Sequence, residues 1–316
     1  MMRFGFGVDL GGTTVKIAYF DAEGTLLEKW EIPTVADDSG AQILPDIAES
    51  VGAYIQHNSI PREDIVGIGI GVPGPVQPDG TVNKCINLGW GVFNIEKELN
   101  RLTGFPVKAG NDATVAALGE CWKGGGRGCQ SMVFVTLGTG VGGGIVVNGK
   151  VIQGVHGAGG EIGHMVLNRE ETELCSCGKR GCVEQYCSAT GIVRIAKQWL
   201  ARTQTPSSLR AFETLTCKDI FDASGAGDAL AQEILEQVYT YMGAFLANIC
   251  NVIDPETVVL GGGVSKAGQP LLDGVLRHFK KYVFHAVWPV RFALAELGND
   301  AGTYGAFKLI RDSKGE

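Results

Sequence analysis

The sequence predicts an α/β protein built from two related halves, each organised around a glycine-rich hairpin loop. Three observations carry that expectation. Apolar strand-like runs alternate with segments of helical spacing along the chain. The run Phe4–Leu10, the loop Gly11-Gly12-Thr13-Thr14 and the apolar run after it are matched later by Met132–Leu137, a loop from Gly138 to Gly144 and residues 145–147, so that Leu10-Gly11-Gly12 falls over Leu137-Gly138-Thr139. At 316 residues and 45% hydrophobic composition, the chain is long enough for two domains with a core each.

Composition narrows the class of partner. A formal charge of -7 argues against a nucleic acid or an anionic membrane surface, which leaves a small molecule. The 47 glycines are about twice the usual share, and their clustering suggests backbone wrapped closely around a ligand. The nine cysteines are an odd number, no apolar leader with a small-residue cleavage site is present, and no run of about eighteen apolar residues occurs. A soluble, reduced, cytoplasmic chain is expected.

Taken in order, residues 4–10, 15–20 and 25–32 read as three antiparallel strands, the last two joined by Asp21-Ala22-Glu23-Gly24. The first loop offers backbone N–H groups and the hydroxyls of Thr13 and Thr14 to a phosphate, and Asp9 at the strand end could hold a magnesium ion through water. A loop carboxylate satisfied by nearby N–H groups is the competing reading of Asp9. Residues 43–55 have helical spacing, and Ile65–Val72 is a buried strand stopped by Pro73-Gly74-Pro75. Asn94 caps a second helix, Gly104 lies past its end, and 106–109 form a short strand. Gly110-Asn111-Asp112 then leads into a helix over 113–121. Asp112 therefore stands at a strand-to-helix junction, where α/β proteins place reactive groups, although from position alone a plain helix N-cap is the simpler reading of an aspartate there.

The second glycine loop contains Gly-x-Gly-x-x-Gly at Gly138, Gly140 and Gly143, but a strand and an Asn148-Gly149 turn follow it in place of the helix that a dinucleotide site needs. No Gly-Lys-Ser/Thr follows any glycine cluster, so a Walker A loop is absent. Helical spacing returns over 191–200 and 228–253, Asp254-Pro255-Glu256 turns the chain, and 257–260 is a buried strand. The triplet Gly261-Gly262-Gly263 after it would let a base or ribose approach closely, or is a tight turn with no ligand. Arg277, Lys280 and Lys281 read as a solvated helix face. A small-residue helix over 302–310 is expected to pack back on the N-terminal domain.

The densest chemistry lies in residues 161–184, EIGHMVLNREETELCSCGKRGCVE. His164, Cys175, Cys177 and Cys182 supply the imidazole and three thiolates of a closed tetrahedral zinc site, and Gly178 and Gly181 let the chain double back around one ion. A redox dithiol at Cys175/Cys177 or ordinary buried thiols are the competing readings. A closed four-ligand site leaves no position for a catalytic water, so a metal here is structural and other residues do the chemistry.

With these motifs in hand, the sequence resembles the ROK family of sugar kinases and repressors, and within it the bacterial ATP-dependent glucokinases, along essentially its whole length. Asp9 to Lys16 (DLGGTTVK) looks like the family's first phosphate motif, Leu137 to Gly144 like its second, and Val259 to Ser265 (VLGGGVS) like its adenosine motif. The segment Glu-x-Gly-His, then Cys-x-Cys-Gly-x-x-Gly-Cys-x-Glu, matches the family signature at every fixed position. The resemblance implies an actin-like, ribonuclease-H-type fold of two α/β domains flanking a cleft. It places one domain at 1–115, joined by 302–316, and the other at 116–301. It implies Asp112 as catalytic base and Asn111, Glu161, His164 and Glu184 as sugar ligands, with Gly74 in the sugar-side loop. ATP, magnesium and structural zinc are the implied cofactors, and a homodimer the implied assembly. Glucose is the expected hexose; fructose, allose, mannose and N-acetylmannosamine are the alternatives. The sugar-responsive regulators of the family resemble this chain with an added winged helix, for which the start of the first motif at Asp9 leaves no room.

Overall fold

We describe the protein from a computed structural model covering residues 3–315; residues 1, 2 and 316, where the expected domains begin and end, lie outside the described residues. In chain order the elements are β1 (Phe4–Leu10), β2 (Thr14–Asp21), β3 (Leu26–Pro33), α1 (Asp37–Gly40), α2 (Ile43–His57), β4 (Ile65–Val72), β5 (Thr81–Cys85), β6 (Trp90–Asn94), α3 (Ile95–Thr103), β7 (Val107–Asn111) and α4 (Asp112–Lys123). They continue as β8 (Met132–Leu137), β9 (Val141–Val147), β10 (Lys150–Val151), α5 (Glu184–Cys187), α6 (Ala189–Arg202), α7 (Cys217–Gly225), α8 (Ala229–Ile253), β11 (Thr257–Gly261), α9 (Gln269–Tyr282), β12 (Arg291–Leu294) and α10 (Ala301–Ser313). No helix among the described residues is long and apolar enough to cross a membrane.

The duplication expected from the two glycine loops is visible in the sheets. Strand order is β3-β2-β1-β4-β7 in one five-stranded sheet and β10-β9-β8-β11-β12 in the other, the same layout position by position. Both have antiparallel strands at one side and parallel strands at the other. Local chemistry accounts for the ends of the elements. Asn94 accepts from Lys97 N–H at the start of α3, and Gly104 ends that helix in the left-handed conformation. Asn148 and Gly149 both have positive φ, as a two-residue hairpin turn between β9 and β10 requires.

The chain forms two compact units, one of Met1–Gln130, Gly144–Gly160 and Glu296–Glu316, the other of Ser131–Gly143 and Glu161–Ala295. The first break falls at 130 instead of 115. The physical reason is that α4 is one uninterrupted helix packed along its length on α10, so it cannot be cut after its first turn.

In the first unit, strands β1 and β4 read Phe4-Gly-Phe-Gly-Val-Asp-Leu and Ile65-Val-Gly-Ile-Gly-Ile-Gly-Val, and the period of two separates their faces. Phe6, Val8, Leu10, Ile68, Ile70 and Val72 pack with Ile47 and Val51 of α2 into one core. The opposite face carries glycine, because α10 lies on it at backbone contact. An added Cβ at Gly7 would sit 2.0 Å from Thr303 O, and one at Gly69 would sit 1.7 Å from Ala306 O. The α4–α10 contact is built in the same way, with Gly119 against Ala301 O and Gly305 against Val115 O. In the second unit β8 and β11 are buried strands and α8 is the long helix, buried through Ile234, Leu235, Val238 and Met242. Arg277 and Lys280 lie on α9, where Arg277 pairs with Glu236 and Lys280 lies 4.3 Å from the Trp288 ring, in keeping with a solvated charged face.

Gly305→Ala would place a methyl 1.7 Å from Val115 O. It should destabilise the protein by at least about 2 kcal/mol in urea unfolding, as overpacking a tight contact does. Gly52→Ala, in open space on α2, should instead raise stability by up to about 1 kcal/mol.

Candidate functional site

In the first unit the expected site residues gather at the carboxyl ends of β1, β4 and β7, the edge where α/β sheets bind ligands. Asp9 pairs with Gly71 across β1 and β4, and Gly71 with Gly110 across β4 and β7, which brings Asp9 and the Asn111-Asp112 junction to neighbouring strand ends. Lys16 faces Asp9 across the β1–β2 ladder, its Nζ 3.9 Å from Asp9 Oδ2, and also donates to Asn299 O at 3.3 Å. Burial raises the Asp9 pKa above its ordinary value, and the nearby Lys16 charge opposes that rise. The loop itself closes tightly, with Gly11 N–H donating to Thr14 O and Thr34 N–H to Thr13 O, while Gly12 and Thr13 lie at the surface.

The helix cap is Asn111, not Asp112. Asn111 Oδ1 accepts from Thr114 N–H at 3.1 Å, and Asp112 is the first residue of α4. Asp112 Oδ1 accepts from Asn111 Nδ2 at 2.9 Å and from Ala113 N–H at 2.7 Å, two bonds that fix the carboxylate's orientation. Asn111 Nδ2 also reaches Gly74 O at 3.4 Å, so the loop of Gly74 and the strand-to-helix junction form one cluster.

In the second unit the glycine loop turns on a bond from Gly138 N–H to Gly140 O, and α6 is fastened to it: Ala189 N–H donates to Gly138 O and Thr190 Oγ1 to Thr139 O. Gly262, at φ +80, lies against the backbone of Leu137, and Ser265 Oγ donates to its carbonyl. The strand end carrying the glycine triplet is thus packed on the strand end carrying the second loop. A pocket of about 720 Å³ opens beside Thr139, lined by Ala189, Val193, Lys197, Gln198 and Leu215.

His164, Cys175, Cys177 and Cys182 do come together, their ligand atoms all within 4.8 Å of one another. Cys177 and Cys182 Sγ are 3.6 Å apart and Cys175 Sγ is 3.8 Å from His164 Nδ1. Metal–sulfur bonds of about 2.3 Å in a tetrahedron give sulfur separations of about 3.8 Å, so the set fits one ion. Burial and the neighbouring thiols push the Cys182 thiol up to about 12, and three thiolates so close would need a cation to coexist.

Glu184 has more duties than its place in the motif suggested. Its Oε2 accepts from Val141 N–H at 3.1 Å and its Oε1 from Ser176 Oγ at 2.7 Å, tying the second glycine loop to the cysteine loop. Glu161, at the head of the segment, is exposed, and its carbonyl accepts from His164 N–H. Gln185, which the sequence did not single out, accepts from the N–H groups of Gly181 and Cys182 and donates to Glu173 O. That amide shapes the cysteine loop without help from a metal. A glutamine next to a motif glutamate carries no signal in a single sequence.

The chain belongs to the ROK family, whose pattern matches residues 5–313. It is 42% identical to a glucokinase of Halalkalibacterium halodurans over 99% of this chain and 96% of that protein. It is 34% identical to a glucokinase of Streptomyces coelicolor over 98% of both. Among solved structures, a ROK family glucokinase from Streptomyces griseus in complex with glucose and AMPPNP is similar at a TM-score of 0.74 and 31% identity, covering 99% of this chain and all of that one.

The cysteine loop is held to α6 by Arg194, whose Nη2 lies 2.8 Å from Glu171 Oε2. Burial would raise the Glu171 pKa, but hydrogen bonds from Arg194, Tyr186 and Glu173 N–H outweigh it and pull the value from 4.5 to about 2. A carboxyl depressed in the folded state stabilises fully above its unfolded value, and that contribution is lost as pH falls from about 4.5 toward 2. Thermal unfolding across that window should show the wild type losing stability more steeply than Glu171→Gln, which starts lower at pH 7. Parallel curves would remove the assignment.

Proposed function

We propose that this protein phosphorylates a hexose, glucose first, at its primary hydroxyl with ATP. The observation that carries the reading is the end-to-end match to glucokinases, 42% identical over 99% of the chain. The repeated strand order supports an actin-like reading of the fold, and the AMPPNP and glucose of the Streptomyces griseus structure support the substrate pair.

In this reading Asp112 is the general base. A primary hydroxyl is a weak nucleophile at neutral pH, so a carboxylate within hydrogen-bond reach accepts its proton as the oxygen attacks the γ-phosphorus and the bond to the bridging oxygen breaks, releasing ADP. Asn111 and Ala113 N–H keep that carboxylate oriented. Asn111, Glu161, His164 and Glu184 hold the sugar hydroxyls, with Gly74 in the sugar-side loop. Asp9, Gly11, Gly12, Thr13, Thr14 and Lys16 take one end of the phosphate chain, and Gly138, Thr139 and Gly140 the other. Gly261, Gly262 and Gly263, with the pocket beside Thr139, take the nucleoside. Asp9 is the residue that would hold magnesium, which supplies neutralising charge when bound with ATP. His164, Cys175, Cys177 and Cys182 would hold zinc, which would supply a fixed point for the loop that carries His164 and leads to Glu184. A cytoplasmic homodimer completes the proposal, checked by light scattering.

Three further measurements test it. A coupled ADP-release assay with magnesium-ATP should show glucose-dominant turnover across a hexose panel that includes N-acetylmannosamine; turnover on another hexose moves the substrate, and none on any sugar sinks the enzyme reading. Asp112→Asn should keep sugar binding and lose about three or more orders of magnitude in kcat. Near-normal kcat in that variant removes the base assignment. Cys177→Ser should lose bound zinc, measured by elemental analysis, together with sugar affinity. Normal sugar binding without zinc would show that the metal does not organise the site.

A further inference from the structure

We infer that Glu120 is a positioning residue for the nucleotide side of the site, acting through the turn that leads into α10. The inference rests on the reading of Asp9 and Lys16 as phosphate-side residues.

Glu120 sits in the last turn of α4 with no exposed surface. Its Oε1 accepts from Leu297 N–H at 2.9 Å, and its Oε2 accepts from Glu296 N–H at 3.0 Å and Gly125 N–H at 2.9 Å. The carboxylate folds back over the end of its own helix: an added Cβ at Gly124 would lie 2.0 Å from Oε2. One side chain thus fastens the segment that leaves α4 to a segment that returns some 170 residues later. A buried carboxylate is costly unless charge-assisted hydrogen bonds compensate it, and an apolar side chain could fill the space without that cost. The bonds to Gly125, Glu296 and Leu297 are therefore what the charge is for, and the last two are the ones that reach across the chain.

What they hold follows along the chain. Leu297 is followed by the single turn Gly298–Asp300, and α10 begins at Ala301. Lys16 Nζ donates to Asn299 O, and Asp300 takes Lys29 Nζ at 2.8 Å. Gly302 lies directly on Asp9, where an added Cβ would be 2.5 Å from the carboxyl carbon. A shift of the 296–297 backbone moves the surface against which Asp9 is desolvated and the carbonyl that holds Lys16. Asn111 and Asp112 stand at the other end of α4 from Glu120, whereas the 296–297 turn leads directly to the groups around Asp9 and Lys16, so the effect falls first on the nucleotide side.

The test compares Glu120→Gln with the wild type and with Asp9→Asn. The amide is the same size but turns one acceptor into a donor facing N–H groups. Glu120→Gln should raise the KM for magnesium-ATP about tenfold, the size expected on losing roughly one charge-assisted hydrogen bond, and leave the hexose KM within about twofold. Equal rises in both, or no change in either, overturn the inference, since a purely structural role predicts no split. Should Glu120→Gln not fold, Leu297→Pro removes one donor at a backbone of φ -79 that proline adopts, and leaves the carboxylate intact. It should give the same selective rise at about threefold, and an unchanged nucleotide KM in the folded variant overturns the inference. If Asp9→Asn leaves the nucleotide KM and kcat unchanged, the phosphate-site reading fails; if Asp9→Asn impairs both and Glu120→Gln neither, only the role of Glu120 fails.

Discussion

The first unit depends on backbone meeting backbone. Helix α10 lies on β1, β4 and α4 at distances that leave no room for a Cβ at Gly7, Gly69, Gly119 or Gly305. Helices usually stand off their neighbours by the length of the side chains between them, and the gain comes from burying those side chains. Here the larger apolar core sits on the other sheet face, where Phe6, Val8, Ile68 and Ile70 meet α2, and α10 adds a smaller one in which Phe307 and Ile310 pack on Ala18, Phe20 and Val66. The glycines add placement: the start of α10 is brought against the Asp9 carboxyl. Because packed interiors do not deform continuously, that contact is either made or lost.

The second unit reaches rigidity by a different route. Its cysteine loop has little apolar surface to bury and is instead laced by polar bonds, from Gln185 to three backbone groups, from Glu184 to Ser176 and Val141, and from Arg194 to Glu171. Such networks can be worth more than the sum of their members, and this one leaves Arg194 Nε buried without a hydrogen bond among the described residues. A metal at the four-ligand cluster would complete an arrangement that the protein already outlines.

Much of this was readable in the residues. Strand ends at Leu10, Val72 and Leu137, the Asn94 and Gly104 caps and the Asn148-Gly149 turn follow from local chemistry, and the structure has them in place. The cysteine cluster was legible because four metal-binding side chains crowd into a short stretch. Other features were not. The alternation Gly5, Gly7, Gly67, Gly69, Gly71 signalled a bare sheet face, yet composition alone reads those runs as merely apolar. Asn111 and Asp112 are both good caps, and only backbone geometry assigns the role to Asn111. The unit boundary at Gln130 and the strand β12 depend on contacts made far along the chain, which local propensity does not encode, while β5 and β6 form a short hairpin with each other that no strong apolar alternation announces.

The matching strand orders have one more implication. With Leu10-Gly11-Gly12 laid over Leu137-Gly138-Thr139, Thr136 falls at the position of Asp9, a neutral hydroxyl in place of a carboxylate. In the same alignment Lys16 falls over Gly143, so one loop carries a charged pair at its base and the other carries none. The repeated half is therefore not a spare copy: the symmetry of the two strand orders is broken by charge, and a chain made of two similar pieces acquires a direction.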